Sequence, residues 1–189
     1  MNRKNLLATL VALISFFLLT GFFGDKDPAA ERKKILNMHQ TTLSDLYKAA
    51  PGAKREISNS AGYAVFSNVG INLLVISTAN GSGVAHNKKT GKDIFMKMFS
   101  AGAGIGMGIK DFRGVFIFST QSAFNQFVNE GWQAGGQADA AAKADKKGDA
   151  VAASIDVGPG IRLYQLTESG LALQATIQGT KYWKDDDLN

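Results

Sequence analysis

A chain of 189 residues is long enough for one domain with a substantial core plus a short appendage. Its 45% hydrophobic and 20% charged residues suit a globular protein rather than a disordered one. The absence of cysteine excludes disulfides, thiolate metal sites, a cysteine nucleophile and a lipidated N-terminal cysteine, and a net charge of +5 is a mild bias toward anionic partners, not the footprint of a nucleic-acid binder.

Residues 1–24 read as an export signal. Arg3 and Lys4 form a charged n-region, and the run from Leu6 to Leu19 is apolar apart from Thr9 and Ser15. Gly21 and Gly24 are small enough to precede a cleavage site, but Leu19 or Phe22 would lie three residues before the cut. A retained N-terminal anchor is therefore the alternative. Either reading places residues 25–189 beyond a bacterial inner membrane, in the periplasm, as a single domain.

After a polar linker containing Pro28, the spacing predicts a helix over residues 30–50. At 100° per residue, Ile35, Leu36, His39, Leu43, Leu46, Tyr47 and Ala50 share one face, and Lys33, Lys34, Asn37, Thr41, Ser44 and Lys48 the opposite one. Such a helix either docks on the core or lies basic-side-out on a membrane surface. His39, on the apolar face, reads as a packed histidine rather than a metal ligand. Pro51-Gly52 stops the helix, and residues 53–59 form a short helix or turn.

Residues 62–69 alternate as a strand, with Tyr63, Val65 and Ser67 on one face and Ala64 and Phe66 on the other. The near-continuous apolar run 71–78 reads as a buried strand, and Asn80-Gly81-Ser82-Gly83 as a turn. Asn87 to Lys92 reads as a hairpin loop bearing Lys88, Lys89 and Lys92, and residues 93–99 return as a strand.

The stretch SAGAGIGMGIKDFRGVFIFS, residues 100–119, places Gly102, Gly104, Gly106 and Gly108 at every second position. A strand would carry all four on one face, bare enough for another backbone, a helix or a flat ligand to approach closely. A phosphate-cradling loop fits poorly: Met107 stands where the dinucleotide fingerprint needs glycine, and no helix follows directly. Lys110, Asp111 and Arg113 mark a charged turn, and residues 114–118 a strand of almost pure Val, Ile and Phe. Ser119 or Thr120 can cap a following helix that carries Ala123, Phe124, Phe127 and Val128 on one face and ends at Gly131.

Residues 132–144, rich in alanine and glycine, lean to strand. Three more strands follow over 151–157, 161–166 and 171–177, and residues 181–189 read as a tail with a solvated acidic end at Asp185, Asp186 and Asp187. The whole is an α+β fold: a mainly antiparallel, strongly curved or barrel-like sheet with an N-terminal amphipathic helix and a second short helix.

Little catalytic chemistry is visible. His39 and His86 lack a ligand pattern, and no G-x-S-x-G elbow is present. Neither enzyme activity, a cofactor nor a metal site is expected. The cations that could gather into an anion-binding patch are Lys88, Lys89 and Lys92, with Lys97, Lys110 and Arg113 if the fold brings them together, and Lys33 and Lys34 on the first helix.

AGYAVFSNVG, the glycine stretch, FRGVFIFST leading into a helix, GGQADAA and YQLTESGLALQATIQGTKYW follow one another as in SYLF-domain proteins. Over residues 30–189 the chain resembles the exported bacterial, YSC84-related members of that lipid-binding family. The resemblance implies a non-enzymatic module that binds anionic phospholipids at a membrane surface, phosphatidylglycerol or cardiolipin in an envelope. The alternative is a structural or protein-interaction protein of the periplasm without specific lipid binding.

Overall fold

A computed structural model describes residues 27–73, 76–103, 111–133, 154–167, 170–171 and 179–189. The signal reading at residues 1–24, Gly104, Gly106, Gly108, Lys110 and most of the alanine-rich segment lie outside the described residues. From Arg32 to Asn189 the chain forms one compact unit.

Among the described residues three helices are α1 (Pro28–Ala49), α2 (Pro51–Asn59) and α3 (Gln121–Asn129). Nine strands of the described residues form one sheet: β1 (Gly62–Leu73), β2 (Ile76–Asn87), β3 (Lys92–Ala103), β4 (Asp111–Phe118), β5 (Trp132–Gln133), β6 (Ser154–Gly158), β7 (Ile161–Thr167), β8 (Gly170–Leu171) and β9 (Thr180–Lys184). Their spatial order is β5-β9-β3-β2-β1-β4-β7-β6, with β8 paired to β7. Every pairing is antiparallel, and the sheet curls into a half-barrel. The α+β class and the curved antiparallel sheet read from the sequence are the observed architecture.

Helices cover both faces of the sheet, which explains why β4 is apolar at every position from Val115 to Phe118. Phe116 and Phe118 join Phe66, Met96, Leu163 and Tyr182 against Phe124, Phe127 and Val128 of α3. Val115 and Ile117 turn the other way, with Val65 and Leu166, to meet Leu43 and Leu46 of α1 and Ala53 and Ile57 of α2. The alternation expected along residues 62–69 holds: Ala64 and Phe66 lie on the α3 side, Val65 on the α1 side. Thr120 caps α3, its hydroxyl accepting from the Ala123 N–H at 3.2 Å, and Gly131 follows the helix end with φ 76°.

Several expectations change. The apolar run 71–78 is two strands, because Leu73 of β1 pairs with Ile76 of β2 and the chain reverses between them. Asn80 to Gly83 is no turn but the middle of β2. A Cβ on Gly83 would meet the Phe66 ring at 2.7 Å and also strike the Val65 carbonyl, and one on Gly81 would lie 2.7 Å from Met98 Cγ. Close approach, not a chain reversal, requires those glycines. Asp111 and Arg113 lie in β4 rather than in a turn. Pro51 does not merely end α1 but opens α2, where its missing N–H costs nothing at the first helical turn.

The segment read as a tail is built into the sheet. β9 lies between β3 and β5, Tyr182 and Leu188 are buried, and Asn189 clasps β3: the Phe95 N–H donates to its side-chain oxygen at 3.0 Å and its amide donates to the Phe95 carbonyl at 2.8 Å. Asp185 is 5% exposed, not solvated. Among the described residues no helix is long and apolar enough to cross a membrane.

Candidate functional site

The amphipathic pattern of α1 is resolved by docking. Ile35, Leu43 and Leu46 are buried, and Lys33, Lys34, Asn37, Thr41, Ser44 and Lys48 are exposed, as the helical spacing requires. Ile35 packs with Val84, Phe95 and Leu188. The apolar stripe is thus the contact with the sheet. Thr42, fully buried on the same side, is the one position the hydropathy pattern misses.

His39 lies flat on Tyr63, ring centroids 5.6 Å apart and 10° from parallel, and Tyr63 tilts against His86 at 5.3 Å. His86 Nδ1 is 2.7 Å from Asp93. Burial holds the His39 imidazole below its ordinary pKa, opposed in part by the Asp93 carboxylate, and its Nε2 is buried without a hydrogen-bond partner. Burial also pushes the Tyr63 phenol up to about 12. The column packs α1 on β1 and β2, in keeping with a structural histidine.

The candidate cations do not converge. Lys97 lies 2.8 Å from Asp185 and 2.9 Å from Asp187, and these bonds raise its pKa. Arg113 donates to Asp45 of α1 at 2.8 Å and holds that carboxyl below its usual range. Both side chains tie elements together. Lys97 also stands five residues along β3 from Lys92, roughly 17 Å at strand spacing. Position along a strand was visible in the sequence; the carboxylates opposite were not, because they come from 68 and 88 or more residues away in the chain.

What remains is a basic end of the molecule. The loop between β2 and β3 is tied down by Asn87, whose side-chain oxygen accepts from the N–H groups of Lys89 and Thr90 at 3.0 and 3.2 Å. Lys88 reaches back to the C-terminus of α2, donating to the Ile57 carbonyl at 3.1 Å and to that of Ser58. An ammonium there satisfies carbonyls that the helix end leaves open and complements its dipole. Lys89 and Lys92 are exposed. Lys54 and Arg55, exposed on the adjoining α2, were not singled out in the sequence, since a nine-residue helix after Pro51 gave no reason to place them beside the hairpin.

The segments that carry the family resemblance meet in the core. Phe66 from AGYAVFSNVG, Phe116 from FRGVFIFST and Tyr182 near the C-terminus lie in mutual ring contact, with centroids 5.9, 4.7 and 5.1 Å apart. Gly102 lies in β3 opposite Ser77.

No family model matches the chain. Over 170 residues, 90% of its length, it is 37% identical to Beta cell expansion factor A of Aeromonas veronii, and it spans 63% of that protein's length. The two are relatives along most of the domain described here.

Proposed function

We propose that the chain is a non-enzymatic lipid-binding module of the SYLF type that associates peripherally with anionic phospholipid membranes in the periplasm of a bacterial envelope. The observation that carries this reading is the basic end, where Lys89 and Lys92 are exposed on a hairpin that Asn87 fixes and Lys88 ties to the C-terminus of α2, a helix that itself exposes Lys54 and Arg55. A lysine or arginine near a negative surface contributes on the order of 1 kcal/mol. Four such charges on one fixed end supply weak, salt-dependent adhesion.

The test is co-sedimentation with phosphatidylglycerol vesicles at low and high salt. Changing Lys54, Lys89 and Lys92 together to Gln should weaken binding about a hundredfold and flatten its salt dependence. Lys88 is left in place because its ammonium caps α2. No binding of the parent at low salt would favour a protein-interaction role in the periplasm.

A further inference from the structure

A groove of 610 Å³ opens between α2, the end of β4 and the β6–β7 turn, next to the basic end. Its size is that of a small-ligand site. Arg55 and Glu56 of α2 line it with Asp156 and Arg162 of β6 and β7, and Ser119 adds a hydroxyl. Arg162 is shared between two carboxylates: its Nε lies 3.0 Å from Asp156 and its Nη1 3.3 Å from Glu56. This trio holds one more carboxylate than guanidinium, and the Asp156 side chain is 68% exposed, so it keeps an open side for a second cation. Arg55 is exposed, and its side chain forms no ion pair or hydrogen bond among the described residues. The groove therefore has a negative pole, the two carboxylates paired with Arg162, and a positive one at Arg55 outside that trio. A simple anion satisfies only one of them.

We propose that the groove binds a zwitterionic phosphate–ammonium group, with Arg55 holding the phosphate and Asp156 accepting hydrogen bonds from a primary ammonium. Guanidinium suits phosphate through paired N–H donors. The choice of phosphate as the anionic end rests on the lipid-binding reading. Two sources share this chemistry: the headgroup of an ethanolamine phospholipid and free phosphoethanolamine.

The test is titration of the full chain with glycerophosphoethanolamine, followed through the amide resonances of Asn59, Ser119 and Gly160, which line the groove. Saturable shifts are expected. Glycerophosphocholine, whose quaternary ammonium has no N–H to give Asp156, should bind about tenfold more weakly. R55Q should weaken glycerophosphoethanolamine about tenfold with an unchanged melting temperature, since the exposed Arg55 side chain makes no ion pair or hydrogen bond among the described residues. Absence of saturable shifts, or equal binding by R55Q and by the choline compound, overturns the proposal and leaves lysine-driven vesicle binding intact. Groove binding by a chain that ignores vesicles of mixed phosphatidylethanolamine and phosphatidylglycerol supports the site, assigns it to the free compound and sinks the membrane reading instead.

Discussion

Lys97 of β3 reaches a nearly buried carboxylate, Asp185, at 2.8 Å, and so fastens the last five residues of the chain to the sheet. Asp185 also accepts from the Asp187 N–H at 3.1 Å. Lys97→Met removes the charge partner and leaves the nearly buried Asp185 carboxylate short of donors. The expected loss is about 1–3 kcal/mol, the cost of an under-satisfied buried group. Asp187→Asn, at a side chain 83% exposed, should cost at most about 1 kcal/mol. Urea unfolding of both variants checks the contrast, and equal losses would show that the pair with Asp185 is not what holds the C-terminus.

Gly83 faces Phe66 across the β1–β2 ladder, where a methyl group would enter the ring and the Val65 carbonyl. Part of that obstacle is backbone, which cannot swing aside as a flexible side chain can. Gly83→Ala should therefore destabilise by about 1–3 kcal/mol, and Gly83→Val by more. Gly52, whose added Cβ would meet nothing within 4 Å, is the control: Gly52→Ala should be neutral or slightly stabilising. Thermal unfolding that ranks Gly52→Ala below Gly83→Ala would contradict the packing shown for β2.

His39 ties α1 to the sheet through Tyr63, facing His86 and Asp93 beyond it. Its pKa in the fold is held below the ordinary 6.5, chiefly by burial. The unfolded chain therefore binds the proton more readily, and stability present above pH 6.5 declines as the pH falls through 6.5 toward the folded value. His39→Phe keeps the stack without a titrating group and should flatten that decline, while His86→Asn should leave the His39 contribution in place. Denaturation curves between pH 5 and pH 7.5 that are parallel for the parent and His39→Phe would remove His39 from the acid response.

Local pattern alone determined a good deal of this protein. The helical spacing of α1 separated its buried from its exposed residues. Period-two alternation placed Tyr63 to Ser67 on the correct faces, the pair Ser119 and Thr120 announced the start of α3, and short strands with hairpin turns pointed to a curved antiparallel sheet. These features rest on residues within a few positions of each other, where one side chain constrains the next. Tertiary structure decided the rest, because each remaining question turned on a distant partner. Asn80 to Gly83 has turn composition, yet Phe66 and Met98 on neighbouring strands make it the middle of a strand. Lys97 and Arg113 carry the charge of an anion site, but Asp185 and Asp45 occupy them. Lys88 became a helix cap only once α2 met the β2–β3 hairpin, and Arg55 came to line one groove with Asp156 because β6 and β7 fold back beside α2. A linear sequence orders charges along the chain; which of them are neutralised, and which stand open on one surface, depends on which strands lie side by side.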